Sequence, residues 1–457
     1  MNLPARSLQE CEVLSFPNAE RSQYTAGPAA VPADATKYGT VVVHLENRNQ
    51  MSSHDSARRF TSTYRLVFTS LCLCAGGSAL LGPALPAVAD GTNAAQTAVR
   101  IVRAPTGCFV PDVVMDAKGV LHMVYALNRL AYYVRSTDDG VTFSPPVQVN
   151  SQGTVEFKMG ERGPKLAVGA DGVIHVVWVD CWAPGVATFV RYARSHDRGK
   201  SFGPLQTVSS MNGVDGVTMT ADGLGRVLVF WHVAHPPQTD IPEATWLHLA
   251  RSTDNGVTFS GNEHVQVAGH SGLACSMCMM RARIGVDGSV YLAFRSAERN
   301  IRDFYVLNGS PDDNKFAAIR VNEDNWELKT CPMCGPELTI APGGRQLCAF
   351  MSRHKVYWSV SDDRVTSFTL HAATPANEND EIYPSAVANR KGEVLFVWQV
   401  GPMSTTGRAT VKWACYTLDG RFTSQQGVLG TTTSGTKATA FVGTDDQFYI
   451  VTTAHSP

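Results

Sequence analysis

The sequence carries little charge. Only 17 % of its 457 residues are Asp, Glu, Lys or Arg, and the net charge is −1. It has no basic stretch of the kind that neutralises phosphates, which excludes nucleic acid as a partner. Sustained apolar periodicity is missing from residues 1–50, where Pro, Ala, Ser and Asn are common. Only Thr40–Leu45 has strand character there, so 1–50 reads as disordered, or as an upstream extension ahead of a start at Met51. What is plentiful is Gly (39) and Pro (24), which suits a turn-rich β protein.

From Met51 the pattern changes. Arg58, Arg59 and Arg65 form a positive segment, Leu66 to Leu85 is largely apolar and small, and Ala87-Val-Ala89 precedes Asp90. Together these read as a secretory signal peptide over residues 51–89. Gly and Pro interruptions disfavour a retained membrane anchor. Cys74 lacks the small preceding residue of a lipoprotein box, and Arg58-Arg59-Phe60 lacks the rest of a twin-arginine signal. The expected mature chain, 90–457, is exported to a periplasmic or extracellular space, with no stable membrane span. Its eight cysteines are Cys108, Cys181, Cys275, Cys278, Cys331, Cys334, Cys348 and Cys415. In an oxidising compartment, disulfides are their default reading.

One pattern returns seven times: a short apolar strand, a turn with Gly or Asp, and a second strand ending on an aromatic or apolar residue. The copies open at Val110, Gly163, Gly216, Met280, Gly335, Tyr383 and Ala438. They lie about 50–65 residues apart, the period of propeller blades. One such hairpin cannot bury its own faces, whereas several arranged radially can. The expected fold is therefore all-β: a β-propeller of four-stranded blades, seven favoured and six the alternative. The strand Ala98–Arg103, similar to the fourth strands elsewhere, completes the last blade.

A second signature follows the hairpins: Ser136-Thr-Asp-Asp-Gly-Val-Thr-Phe143, Ser195-His-Asp-Arg-Gly-Lys-Ser-Phe202 and Ser252-Thr-Asp-Asn-Gly-Val-Thr-Phe259, with worn copies at Ser310 and Ser361. Asp138, Asp197 and Asp254 suit the amides of a tight turn. Gly140, Gly199 and Gly256 suit positive φ. Phe143, Phe202 and Phe259 pack back onto the blade. Calcium loops need several more oxygen ligands than these turns offer, so the role is structural. The motif resembles the Asp-box, or BNR repeat, of the sialidase superfamily, and the resemblance covers about residues 97–457. It implies fold rather than activity.

In a propeller, the segments leading into the innermost strands share one face with the exits from the second strands. Here they carry Cys108, Glu161, Arg162, Asp215, Cys275–Arg281, Cys331–Cys334, Glu381 and Tyr383, with Asn128, Asp180, Cys181, His232, Arg295, Arg353 and His354 from the exits. Two motifs stand out, Cys275-Ser-Met277-Cys278 and Cys331-Pro-Met333-Cys334. Four thiolates with thioethers nearby suit copper(I) or zinc(II). The same cysteines suit disulfides that clip the mouth, or a redox dithiol. Cys108 and Cys181 could pair with each other or join the site, and Cys348 and Cys415 lie inside strands as inert thiols. The motifs, with Arg299-Asn-Ile-Arg302-Asp303, resemble a group of exported bacterial sialidase-like propellers.

The superfamily resemblance also implies a rival chemistry. Sialidases hold a sugar carboxylate with three arginines and use a Tyr nucleophile assisted by a Glu. Tyr383, Glu381, Arg281 and Arg162 match parts of that set as an exo-acting glycosidase. However, the first repeat reads Phe109-Val-Pro111 where an Arg-Ile-Pro is required, and the fifth reads Cys334-Gly-Pro336. Loss of two such arginines removes most affinity for an anionic sugar. The expected role is binding of a metal, small ligand, glycan or protein at the channel face; a pure interaction scaffold is the third reading.

Overall fold

The computed structural model describes residues 41–42, 99–105, 107–157, 161–181, 187–233, 244–372, 380–401, 408–433 and 437–452. The signal segment 51–89 lies outside them, as do Met159, Trp182 and His235, which flank the expected mouth residues Glu161, Cys181 and His232 in the sequence. Among the described residues there is no α-helix, and no helix is long and apolar enough to cross a membrane.

Seven sheets form, one per repeat. Their inner strands are Phe109–Met115, Lys165–Val168, Val214–Ala221, Arg281–Ile284, Glu337–Ile340, Glu381–Ala388 and Thr439–Val442. Each pairs antiparallel with the second strand of its own hairpin. The second strands are almost wholly buried, as in Ile174–Val179 and Val290–Arg295, because blades stack on both of their faces. Of the largest core side chains, Trp178, Trp231 and Trp398 sit there at the ends of their repeats, and Trp358 lies on the next strand of the fifth blade, Lys355–Ser361.

The last blade is completed from the N-terminal side, with one difference from expectation. Val99–Arg103 takes the third place rather than the fourth, parallel to Phe448–Thr452. Val41–Val42 then pairs with its outer edge, within the short strand read at Thr40–Leu45. Only two strands of this blade come from the C-terminal end, so the earlier segment must fill the position next to them.

The expected turns form, and their glycines do more than turn. In each, the Asp carboxylate accepts the hydroxyl and amide of the residue four on, as in Thr142 to Asp138 (2.6 and 2.9 Å). The preceding Ser hydroxyl accepts the Gly140, Gly199 or Gly256 amide at 2.8 Å. These bonds consume the carboxylates locally. The aromatic that follows packs where its own blade meets the preceding one: Phe202 lies 5.4 Å from Tyr133 and Phe259 lies 4.8 Å from Tyr192, ring centre to ring centre. The glycine is seated on the same ring. A Cβ on Gly256 would meet Tyr192 Oη at 1.8 Å, and its φ is +79°. Gly256→Ala is therefore expected to cost about 2–4 kcal/mol in urea-unfolding free energy, from the inter-blade clash and the left-handed backbone together. Gly172→Ala, whose Cβ would meet nothing within 4 Å at a similar φ, isolates the backbone share.

Candidate functional site: a thiol trio above a charged channel

The 64 residues between the third and fourth repeats, Gly216 to Met280, are more than the other intervals, and the extra chain builds the mouth. Part of it forms Leu273–Cys275, which pairs with Ala244–Ser252 of blade 3 and sets Cys275 opposite Ala244. A turn, with the Cys278 amide donating to Cys275 O at 3.4 Å, returns Cys278 to the same spot. From blade 5, Cys331 arrives above them. The three Sγ atoms lie within 4.8 Å of one another, all buried, and Cys278 Sγ is 3.5 Å from Cys331 Sγ. Met277 and Met333 pack against the trio.

Two features lock the loops together. Glu161 from blade 2 accepts the Met279 amide at 3.1 Å on one carboxylate oxygen and the Gly335 amide at 2.7 Å on the other. It thus bridges the ends of both C-x-M-C motifs. Gly335 is pressed onto the Met279 backbone so closely that a Cβ would lie 2.1 Å from Met279 O. Burial, then the Cys278 sulfur, push the Glu161 carboxyl up to about 7. The buried Arg295 donates to Cys334 O at 2.8 Å and Met351 O at 2.7 Å, and holds blade 5's loop from beneath.

The trio is electrostatically uneven. Burial raises the Cys278 thiol, but donation from Cys275 and Cys331, the Arg295 guanidinium and the Cys334 amide hold it well below the ordinary thiol range. Burial and their hydrogen bonds to Cys278 push Cys275 and Cys331 up. Of the three, Cys278 is the sulfur whose surroundings favour the thiolate most. Arg302, fully buried, adds a second cation near Cys275.

The fourth expected thiol turns away. Cys334 Sγ accepts the Tyr383 amide at 3.3 Å, and burial pushes its thiol up to about 12. Cys108 packs in the core between the last and first blades, and the Cys181 amide donates to Thr154 Oγ1 at 3.3 Å, so neither joins the trio. Cys348 and Cys415 are strand-buried as expected, with thiols raised by burial. No disulfide is formed among the described cysteines, and the 3.5 Å contact of Cys278 with Cys331 crosses between the motifs.

The glycosidase set is brought to the same face but is spoken for. Arg281 donates to Asp112 at 2.7 Å and pairs with Glu337 at 2.5 Å. Arg162 is clamped by both oxygens of Asp215 and reaches Met277 O at 3.3 Å. Glu381 is buried and accepts the Val356 amide at 3.1 Å. Tyr383 is 1 % exposed at an inner-strand bulge with φ +50°, and burial raises its phenol far above its usual range. Asp112 is the counterion of Arg281.

Sequence reading missed what lies below. The registers make seven positions equivalent, one per inner strand: Asp112, Lys165, Thr218, Arg281, Glu337, Ser385 and Thr439, each opposite an apolar residue of the second strand. All seven are polar. They zip the ring: Leu166 N donates to Asp112, Ala282 N to Thr218 and Ala440 N to Ser385, at 2.9–3.1 Å. Lys437 also reaches Glu337, at 2.7 Å. The signal was there, as one polar residue at a fixed place in each apolar repeat.

Fold and site together define a seven-bladed propeller with a thiol-lined channel mouth. No protein-family model matches the chain, and no curated protein matches it. Among solved structures it is similar to a Hadza microbial sialidase, at 17 % identity and TM-score 0.45 over 71 % of this chain and 69 % of that one. It is also similar to the GH93 α-L-arabinofuranosidase of Fusarium graminearum, at 13 % and 0.47 over 68 % and 94 %. A Dyadobacter fermentans protein of unknown function gives 17 % and 0.45 over 66 % and 93 %. Likeness at this level carries no argument about activity.

Proposed function

We propose that the protein is an exported, sialidase-superfamily propeller that binds a soft metal ion at its channel mouth on Cys275, Cys278 and Cys331. The observation that carries this reading is the convergence of three buried sulfurs from two loops 53 residues apart. Copper(I) suits the set better than zinc(II). Thiolates and thioethers are soft ligands, and Met277 and Met333 stand beside the trio. Structural zinc requires four closed ligands, and Cys334 faces Tyr383 instead. Arg295 and Arg302 supply the positive charge that a buried thiolate set requires. A carboxylate-binding glycosidase has less support, because Arg281 and Arg162 already carry protein carboxylates.

Anaerobic titration of the reduced mature protein with copper(I), against a chromophoric copper(I) chelator, tests this. One equivalent should be retained, and three fewer thiols should react with a thiol reagent in the loaded protein than in the free one. Transfer of all copper to the chelator, with no thiol protected, would sink the proposal. Glycosidase activity lost in Tyr383→Phe and indifferent to copper would favour the hydrolase instead.

A further inference from the structure

The inner strands continue past the polar ring into an axial cavity of about 320 Å³, open on the face away from the thiols. That is room for about ten waters. Its wall comes from all seven blades. Two residues along from the polar ring, the strands present Val114, Ala167, Thr220, Arg283, Thr339, Val387 and Phe441. Arg283 is the one charged residue of that layer. The neighbouring blades contribute Thr220 and Thr339 to the same layer, and the Thr339 hydroxyl donates to Ala386 O of blade 6 at 2.9 Å. Across the axis stand Val114 and Phe441, from the first and last blades.

The charges around Arg283 do not balance. Glu337 already takes Arg281 at 2.5 Å and Lys437 at 2.7 Å, and it stands 3.6 Å from Arg283. Asp112 takes Arg281 and the Leu166 amide. Lys165 is 5 % exposed and spends one proton on the Glu161 carbonyl. The Glu161 carboxylate is committed to the loop amides above. Four cations, Lys165, Arg281, Arg283 and Lys437, thus lie around Asp112 and Glu337, with Glu161 as a third carboxylate felt by Lys437. Burial, then Arg281, bring Arg283 down to about 10, and burial also brings Lys165 down to about 8, against the pull of Asp112. Arg283, whose side chain is 24 % exposed and whose nearest carboxylate stands at 3.6 Å, favours an anion beside it.

We infer that this cavity is a second binding site, for a short-chain monocarboxylate whose head group sits on the Arg283 guanidinium and whose alkyl tail lies against Val114 and Phe441. A guanidinium offers a carboxylate two parallel N–H donors. The volume admits a chain of several carbons, and the opposite wall is apolar, so a bare inorganic anion leaves the tail side wet.

Isothermal calorimetry with hexanoate, hexanamide and chloride tests the site on the mature protein in chloride-free buffer. Hexanoate should bind once per chain in the millimolar range or tighter, with hexanamide and chloride at least roughly tenfold weaker, as expected for loss of one charge-assisted contact or of the tail. Arg283→Gln should weaken hexanoate by the same factor. Val114→Phe, which fills the cavity and keeps every charge, should abolish binding. Cys278→Ser should leave hexanoate affinity unchanged, so this site and the thiol site can fail separately. Equal binding of hexanoate and hexanamide, full hexanoate affinity in either folded cavity variant, or no binding in the wild type would overturn the inference. Binding of chloride as tight as that of hexanoate would reduce it to a counterion in a solvent channel.

Discussion

Cys278→Ser should lower the affinity for copper(I) by at least about a hundredfold, beyond the 10–100-fold that changes behind a ligand produce. Cys278 is the sulfur on which the others converge. Cys331 Sγ lies 3.5 Å from it, and the neighbouring sulfurs, Arg295 and the Cys334 amide hold its thiol lowest of the three. Serine keeps the volume and the hydrogen bonds but is a hard, protonated oxygen. The sharp comparison is Cys334→Ser. Its sulfur serves the Tyr383 amide, so its replacement should change copper affinity by less than about tenfold. Competition with the same chelator reads both. Equal losses in the two variants would mean that Cys334 swings inward as a fourth ligand, and zinc would become the better candidate.

The contrast between these cysteines shows what a sequence can and cannot disclose here. Seven blades and their turns were legible because each rests on local periodicity: alternation within a hairpin, and Ser-x-Asp-x-Gly within a turn. The gathering of Cys275, Cys278 and Cys331 was legible too, since a closed ring forces the segments before its inner strands together. Which way Cys334 points was not. It depends on an amide 49 residues away, exposed by a bulge at Tyr383. The fate of Arg281 was equally hidden, since its partner Asp112 lies 169 residues earlier and becomes a neighbour only when the ring closes. Local pattern named the positions at the mouth. Long-range geometry decided which side chains satisfy one another and which remain for a ligand.

Arg281→Ala should destabilise the fold by about 3–5 kcal/mol, the cost of removing one partner from a buried ion pair. The arginine is 6 % exposed and links Asp112 of blade 1 to Glu337 of blade 5, across the channel. Its loss leaves Asp112 buried with the Leu166 amide and the more distant Lys165 and Arg283. Glu337 keeps Lys437, so most of the penalty falls on Asp112. The companion variant follows from this. Asp112→Asn in the Arg281→Ala background should recover a measurable part of the loss, because it removes the stranded charge, and the two changes should be non-additive. Urea unfolding of the single and double variants gives the coupling. The result also separates the two chemistries proposed for the mouth. An arginine held in reserve for a sugar carboxylate would be strained against its surroundings, and its removal would leave stability unchanged or raised. A large loss shared with Asp112 makes Arg281 a spoke of the ring, and leaves the thiol trio as the chemistry the mouth has to offer.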